Sequence, residues 1–280
     1  MTHVAADEPP ASGIGVSIIA PPAYLRDFVA QAPPTVHHVA AQHVLHDPSY
    51  RAFFREESEM GAAVIVDNGV FDLGESLDAA ELVRAAKAVS AKEIILPDVM
   101  RNGLATMRAS DRAALEISRL TDEFQLCAVV HATDDSQWLR CYEHFATSDY
   151  VSTIALPASR DKQPMDGLCR NRVKATSYLQ EHQFLDPRLT YRLLGLGRLG
   201  HLELFEQRQY TWIASVDCAA PVVLGSMGVR MEPDGPYQKI PTPRIEALPP
   251  IDTSRFPLIR QNIRAVRYAA NCSIEIREAP

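Results

Sequence analysis

Short apolar runs rich in Val and Ile recur along the chain, and in most of them the apolar residues are continuous rather than alternating with polar ones. Such runs are typical of strands that are covered on both faces, as in a parallel sheet. They predict eight strands, at residues 16–21, 36–41, 62–68, 93–98, 126–132, 150–157, 191–197 and 213–219.

Segments with helical periodicity separate these runs. Residues 47–61 open with an Asp–Pro pair that suits a helix start, and they end at Gly61. In residues 76–90 apolar positions return at helical spacing after Ser76, which we expect to cap the helix. The same periodicity predicts further helices at residues 21–32, 104–120, 134–147, 169–185, 201–209 and 254–270.

Strands that alternate with helices along one chain predict an α/β protein, and eight such units indicate a single (β/α)8 barrel. An open doubly wound sheet is the alternative. We expect one domain over residues 15–280, preceded by a disordered, Pro-rich leader at residues 1–14. Residues 219–253 contain seven prolines and are predicted to form an irregular segment at the rim, after the last strand.

The composition is that of an ordinary globular protein, because 46% of the 280 residues are hydrophobic and 22% are charged. No apolar run approaches the roughly 18 residues that a membrane-spanning helix needs. The five cysteines include no C-x-x-C pair, which favours reduced thiols and a cytoplasmic location over a disulfide framework.

The net charge of −7 argues against a protein that relies on general attraction to phosphate. A nucleic acid would therefore have to bind to a local basic patch, and residues 160–174 contain five basic side chains against two acidic ones. This stretch predicts five candidates for contact with a nucleic-acid backbone: Arg160, Lys162, Arg170, Arg172 and Lys174. A solvated surface without a ligand is the alternative.

Four predicted strands end on a titratable side chain: Asp67, Asp98, His131 and Asp217. In a barrel the carboxyl ends of the strands share one mouth, so we expect these side chains to converge there. One carboxylate can then act as nucleophile at a sugar carbon, a second as general acid/base, and a third can accept hydrogen bonds from a purine. The same set also suits a divalent metal in a barrel hydrolase, or purine binding without turnover.

Two adjacent histidines, His37 and His38, lie on the second predicted strand. Neighbouring strand residues point to opposite faces, so only one of the two can enter the barrel. A metal cluster that also includes His43 and His46 is disfavoured, because these residues straddle the strand and the loop that follows it.

Several stretches resemble the motifs of one family, in the same order and with matching spacing. Residues 191–222 resemble the segment from a Y-L-M-G-V-G strand to an F-D-C-x-x-P strand in tRNA-guanine transglycosylases, the queuine tRNA-ribosyltransferase superfamily. VDNGVF (66–71) resembles the family's S-D-S-G-G-F motif, and LPDVM (96–100) stands in the place of its D-E-C motif. VVHAT (129–133) stands where the family has V-Q-G, and YVSTIALP (150–157) where it has Y-A-V-G-G-L-A-V. The resemblance covers roughly residues 60–228. The D-N-G-x-F and L-P-D forms are similar to the small DpdA-like relatives of bacteria and phages, which place 7-deazaguanines in DNA.

The resemblance implies that Asp217 is the nucleophile that attacks C1′ of the sugar and that Asp67 is the acid/base. It implies contacts with the base for Asp98 and for His131, which stands where the family has Gln. Further substrate contacts are implied for Phe71, Asn68, Gly69, Thr153, Ile154, Gly195 and Gly197.

The chain departs from the tRNA-acting members after Cys218, because only Cys272 follows and the C-x-C-x-x-C…H zinc motif is missing. We therefore expect a barrel without the family's zinc-binding subdomain, and DNA rather than tRNA as the favoured partner. The resemblance further implies a 7-deazaguanine base such as preQ0, no cofactor or metal, no membrane contact, and the cytoplasm of a bacterial or phage-infected cell. Related enzymes often dimerise, and a homodimer is one assembly that the resemblance allows.

Overall fold

The strands of the computed structural model form one parallel sheet. The structure describes residues 13–30, 35–158, 167–197, 199–233, 235 and 248–271. Eight strands lie in these residues, and each overlaps a predicted run. They are β1 (Gly15–Ile18), β2 (Val36–Ala40), β3 (Ala63–Asp67), β4 (Glu93–Ile95), β5 (Gln125–Val129), β6 (Thr153–Pro157), β7 (Thr190–Leu194) and β8 (Ile213–Cys218).

The order of the strands across the sheet is β1-β8-β7-β6-β5-β4-β3-β2, with every pair parallel. Within the described residues no backbone ladder joins β1 to β2, although the two strands lie side by side. A side-chain bond bridges this seam instead, because Ser17 Oγ accepts from the backbone N–H of His38 at 2.8 Å. The sheet is therefore a nearly closed barrel, which confirms the predicted (β/α)8 fold over the open sheet.

Helices surround the barrel and connect its strands. In the described residues they are α1 (Leu25–Phe28), α2 (Ala41–His46), α3 (Pro48–Glu59), α4 (Val70–Leu73), α5 (Ala79–Ala88), α6 (Gly103–Leu120), α7 (Asp135–Ala146), α8 (Arg172–Glu181), α9 (Glu203–Gln207), α10 (Ala220–Ser226) and α11 (Phe256–Ala269). None of these helices has both the length and the apolar character needed to cross a membrane.

Two helix starts differ from the prediction. Helix α5 is capped by Asp78, which accepts from the Glu81 N–H in a capping box, whereas Ser76 hydrogen-bonds to the backbone of Asp98. Helix α10 lies inside the segment that was predicted to be irregular, where Pro221 in its first turn has no N–H to leave unpaired. Much of the rest of that segment, and nearly all of the predicted leader, falls outside the described residues.

Alternation along the strands sorts the apolar side chains into two layers. One cluster fills the barrel interior and consists of Ile65, Ile95, Cys127, Val129 and Ala155. The residues between them, among them Val64, Val66 and Ile94, pack outward with the helices in the larger cluster. A residue's position along its strand therefore decides whether it faces the interior or the helices.

A charged pair, Arg192–Glu93, lies in the barrel interior toward the amino-terminal ends of the strands; we call it the interior pair. Arg192 donates from Nε and Nη2 to the two Glu93 carboxylate oxygens at 3.0 and 3.1 Å, and from Nη1 to Ser215 Oγ at 2.9 Å. Thr153 Oγ1 donates to Glu93 Oε2 at 2.8 Å. Because these side chains come from β4, β6, β7 and β8, the network crosses the interior and links four strands.

Candidate active site

Two carboxylates stand at the carboxyl ends of strands that are far apart in sequence. Asp67 is the last residue of β3, and Asp217 is the last but one of β8. Each follows an interior residue by two positions, Ile65 and Ser215 respectively, so both side chains face the inside of the barrel. The structure therefore brings the two predicted catalytic aspartates to the same mouth.

The carboxyl group of Asp67 is held in a form that can take up and release a proton near neutral pH. Burial raises its pKa to about 7, and the charges of Asp217 and Asp98 act in the same direction. Its Oδ1 accepts from the Gly69 N–H at 2.8 Å, which opposes the rise. A pKa close to the ambient pH is the property that a general acid/base needs.

Gly69 is required by the turn that presents Asp67. Its φ of +83° lies in the left-handed region, which a residue with a Cβ adopts at a cost. A Cβ at this position would also lie 3.1 Å from Leu73 Cδ1 and 3.2 Å from Gln42 Oε1. Gly69 therefore has a conformational role beside Asp67, and its predicted contact with a substrate stays a prediction.

Asp217 is oriented by the loop that follows β7. Its Oδ1 accepts from the Gly195 N–H at 3.0 Å and lies 3.9 Å from Nδ1 of His38. The side chain keeps 15% of its surface exposed, so it is held in place yet reachable from the mouth. An oriented and accessible carboxylate is suited to attack an electrophilic carbon.

A second polar cluster lies beside Asp67, just beyond β4 and β5. Asp98 Oδ2 is 2.6 Å from His131 Nε2, and Asp98 Oδ1 accepts from Asn68 Nδ2 at 2.6 Å. Asn68 also donates to the Leu96 carbonyl at 2.7 Å, and its own oxygen accepts from the Val70 N–H. Both oxygens of Asp98 thus already serve side chains of the protein. Direct contact with a purine would require one of these bonds to be exchanged.

The Asp98–His131 contact fixes the orientation of the imidazole. A carboxylate beside one ring nitrogen makes that nitrogen the donor and leaves the other nitrogen for a second partner. Because Nε2 faces Asp98, Nδ1 is the nitrogen that His131 can offer to a ligand. Nearby, Phe71 is 39% exposed on α4, where its ring contributes an apolar surface to the rim.

Arg172 was predicted to contact a nucleic-acid backbone, and the structure shows that this is wrong. The side chain is buried and forms a bidentate pair with Glu203, at 2.7 Å from Nε and 3.1 Å from Nη2; we call it the rim pair. The remaining N–H groups of Arg172 donate to the carbonyls of Leu156, Leu194 and Gly195 at 2.8–3.0 Å. All five guanidinium donors are thereby engaged, and none is available to a phosphate.

The rim pair supports the loop that orients Asp217. Arg172 holds the carbonyl of Gly195, whose N–H in turn donates to Asp217. Glu203 Oε2 accepts from the Gly197 N–H at 3.3 Å, and a Cβ on Gly197 would lie 2.8 Å from that oxygen. Gly195 and Gly197 therefore help to fix this loop, and their predicted contacts with a substrate stay a prediction.

Thr153 and Ile154 lie away from the mouth, so their predicted substrate contacts are wrong. Thr153 is the first residue of β6 and donates to Glu93 in the interior pair, toward the opposite end of the barrel. Ile154 is fully buried in the outer cluster, against the helices. The strand begins three residues later than the predicted start at 150, and Pro157 is the residue at its carboxyl end.

The predicted basic patch is smaller in the structure than in the sequence. Lys174 is exposed and Arg170 is partly exposed, whereas Arg172 is internal. Arg160 and Lys162 lie outside the described residues. Two of the five candidates thus remain at the described surface near the start of α8.

The described residues contain no set of ligands that would support the alternative of a metal-dependent hydrolase. Among the described residues, no group of three His, Cys, Asp or Glu side chains is placed to hold a metal ion. His37 faces outward and lies 3.2 Å from Glu57 on α3, while His43 packs against Tyr50. The strand-end residues are paired with one another or with backbone groups instead.

Two features of the site were missed by sequence reasoning. His38 was recognised only as one of two adjacent histidines, and alternation alone could not say which of them enters the barrel. Its contact with Asp217 shows that His38 is the one. The pairing of Arg172 with Glu203 has no periodic signal, because the two residues belong to different helices.

No protein-family model matches the chain, and no curated protein matches its sequence. Among solved structures, the YdjI aldolase from Escherichia coli K12 aligns with a TM-score of 0.49 and 11% identity, over 92% of this chain and 88% of that one. A glycoside hydrolase family 5 structure from Bacteroides vulgatus aligns with a TM-score of 0.46 and 8% identity, over 75% of this chain and 58% of that one. Phosphoribosyl anthranilate isomerase from Thermococcus kodakaraensis aligns with a TM-score of 0.45 and 12% identity, over 92% and 99%. Each is named as an enzyme, and similarity at this level carries no inference about the reaction of this chain.

Proposed function

We propose that the protein is a base-exchange glycosyltransferase that replaces guanine with a 7-deazaguanine in a nucleic acid. The observation that carries the proposal is the pair of carboxylates at one mouth, held in different environments. Asp67 has a pKa of about 7, and Asp217 is oriented by the Gly195 N–H. Two carboxyl groups held in different environments suit the division of work between acid/base and nucleophile.

In the first step Asp217 attacks C1′ of a guanosine nucleotide. The new bond joins a carboxylate oxygen to C1′, the bond from C1′ to guanine breaks, and its electron pair leaves with the base. Protonated Asp67 supplies the proton that the departing guanine takes up. The products are free guanine, ionised Asp67 and a covalent glycosyl-enzyme on Asp217.

In the second step the incoming 7-deazaguanine replaces the aspartate. Ionised Asp67 removes the proton from the ring nitrogen, that nitrogen attacks C1′, and the bond to Asp217 breaks with its electron pair returning to the carboxylate. The protons balance over the two steps, because Asp67 is protonated at the end of the cycle as it was at the start. Two displacements at the same carbon retain its configuration.

The class of substrate follows from the resemblance to the transglycosylases together with the surroundings of the carboxylates. A 7-deazaguanine such as preQ0 is the expected incoming base, and DNA is favoured over tRNA as the acceptor. His131 and Phe71 provide an imidazole nitrogen and an exposed ring for the base. A base in duplex DNA would have to leave the stack to reach Asp217.

The test is a base-exchange assay with labelled guanine or labelled preQ0, run once with DNA and once with bulk tRNA. We expect label to enter DNA, and denatured protein to carry a covalently bound nucleic acid when the reaction is stopped part-way. Asp217→Asn should lose both signals, because the amide has the same shape and is a far weaker nucleophile. Asp78→Asn is the matched control, since Asn caps helix α5 as well as Asp does.

Two outcomes would contradict the proposal. One is the absence of label from both polymers when circular dichroism shows folded protein. The other is full exchange by the Asp217→Asn variant. Label in tRNA alone would support the base-exchange reaction and contradict the preference for DNA as the acceptor.

A further inference from the structure

His38 is a buried imidazole without a hydrogen-bond partner for either ring nitrogen. It lies in the middle of β2 with 3% of its side chain exposed, and neither Nδ1 nor Nε2 is hydrogen-bonded within the described part of the chain. A buried polar atom left in this way destabilises the fold, so such atoms are uncommon and call for an explanation.

The group that His38 faces is the carboxylate of Asp217. Nδ1 of His38 lies 3.9 Å from Oδ1 of Asp217. Burial, and after it the charge of Arg192, lower the pKa of His38 to about 3. The ring is therefore neutral at physiological pH and carries a single N–H, which a nearby carboxylate draws to Nδ1.

We propose that His38 is a positioning residue that donates from Nδ1 to Oδ1 of Asp217 during glycosyl transfer. This inference rests on the proposed function, because it concerns the same nucleophile. A separation of 3.9 Å exceeds a direct hydrogen bond, and contacts of this kind often tighten only when the substrate is bound. A small rotation of the carboxylate or the ring closes the distance.

Both described donors near Asp217 approach the same oxygen. The Gly195 N–H donates to Oδ1, and Nδ1 of His38 lies 3.9 Å from it. When the bond between Asp217 and the sugar breaks in the second step, negative charge returns to the carboxylate. Two donors aimed at Oδ1 stabilise this leaving group.

The chain offers a matched control at the adjacent position. His37 is also fully buried on β2, but it faces the helices, where Nε2 lies 3.2 Å from Glu57 Oε2 and the ring packs against Phe54. The two histidines therefore share strand, burial and residue type, and they differ in the face of the sheet. Loss of His37 removes packing and a polar contact without touching Asp217.

The first experiment compares the kinetics of four variants in the base-exchange assay. We expect His38→Phe to lower kcat about 10- to 100-fold with little change in KM, as is typical when a group that orients a catalytic side chain is removed. His38→Asn should restore most of kcat, because its side-chain N–H can take the place of Nδ1–H. His37→Phe and His37→Asn should lower the midpoint of unfolding and leave kcat of the folded protein unchanged.

The second experiment needs no activity. In ¹⁵N spectra of the imidazoles, wild-type His38 should be neutral with its proton on Nδ1, and Asp217→Asn should shift its signals more than those of His37. A proton on Nε2, or signals that do not respond to Asp217→Asn, would overturn the inference. So would a His38→Phe variant as active as an exchanging wild type.

These readouts separate the two proposals. Wild-type protein that exchanges no base but shows the predicted coupling between His38 and Asp217 contradicts the proposed function and supports the contact. Wild-type protein that exchanges bases but shows no coupling supports the proposed function and overturns the role of His38.

Discussion

The interior pair Arg192–Glu93 and the rim pair Arg172–Glu203 are both buried and both bidentate, yet their remaining hydrogen bonds go to different groups. Arg192 bonds to the hydroxyl of Ser215, and Glu93 accepts from the hydroxyl of Thr153. Arg172 bonds to three backbone carbonyls at the carboxyl ends of β6 and β7. The first pair thus serves side chains, and the second serves the main chain.

This difference determines what each pair does for the molecule. A charged pair that bonds to side chains can be replaced by apolar residues of similar volume, because both charges leave together and only the hydroxyls of Ser215 and Thr153 lose a partner. Backbone carbonyls remain whatever the sequence, so the donors of Arg172 have no apolar substitute. The interior pair therefore acts on the stability of the barrel, whereas the rim pair also shapes the loop that holds Asp217.

The largest expected effect tests whether the pairs are replaceable. Arg192→Met should lower the free energy of unfolding by about 3–5 kcal/mol, because Glu93 is left buried and unpaired, and Glu93→Leu in the same chain should recover most of the loss. The double variant Arg172→Met with Glu203→Leu should recover much less, since three carbonyls lose their donor. Urea denaturation measures all of these. Equal recovery by the two double variants would remove the distinction.

Asp67 extends the comparison to a largely buried carboxyl group for which the described residues supply no arginine partner. Its pKa of about 7 exceeds the ordinary value of 3.8, so between these pH values the folded protein binds the proton that the unfolded chain has lost. Its contribution to stability therefore falls as pH rises through this range. Asp67→Asn should raise the free energy of unfolding, and the gain should be about 2–3 kcal/mol larger near pH 8 than near pH 5.

Denaturation curves of wild type and Asp67→Asn at the two pH values provide the measurement. Asn keeps the acceptor that the Gly69 N–H needs, so the turn is preserved in the variant. A gain of the same size at both pH values would show that the carboxyl group of Asp67 is not perturbed by burial.

The smallest expected effect concerns catalysis and separates the two arginines directly. Arg172→Lys should lower kcat of base exchange about 10-fold, or about 1.4 kcal/mol, because an ammonium lacks the planar fork that holds Gly195 and Glu203 together. Arg192→Lys is the matched control and should leave kcat of the folded fraction unchanged. A similar loss of kcat in both variants would mean that the rim pair has no special relation to Asp217.

The fold was predictable because continuous apolar runs of β-branched residues, separated by amphipathic segments, describe a barrel strand by strand. The sites of Asp67 and Asp217 were predictable for the same reason, since each comes where an apolar run stops. The direct contact between Asp98 and His131 follows from the adjacency of β4 and β5 in the sheet.

The misplacement of Thr153 and Ile154 came from the resemblance, which matches these two residues to a Gly-Gly pair that contacts the base. The predicted run at residues 150–157 already ended at Pro157, as β6 does, so the strand pattern itself placed both residues well before the mouth. Arg172 was misplaced because a basic residue among other charges has the pattern of a surface residue, and its acidic partner lies on a different helix.

Around most of this barrel, neighbouring strands are joined by backbone groups that every residue except proline carries, so a substitution leaves the joint intact. Between β1 and β2 the joint is the hydroxyl of Ser17, and one mutation to alanine removes it. At this place the contact that closes the barrel therefore depends on which residue occupies position 17. Because Ser17 is the strand neighbour of Asp217, natural variation at position 17 can alter the support of Asp217 while the rest of the barrel stays as it is.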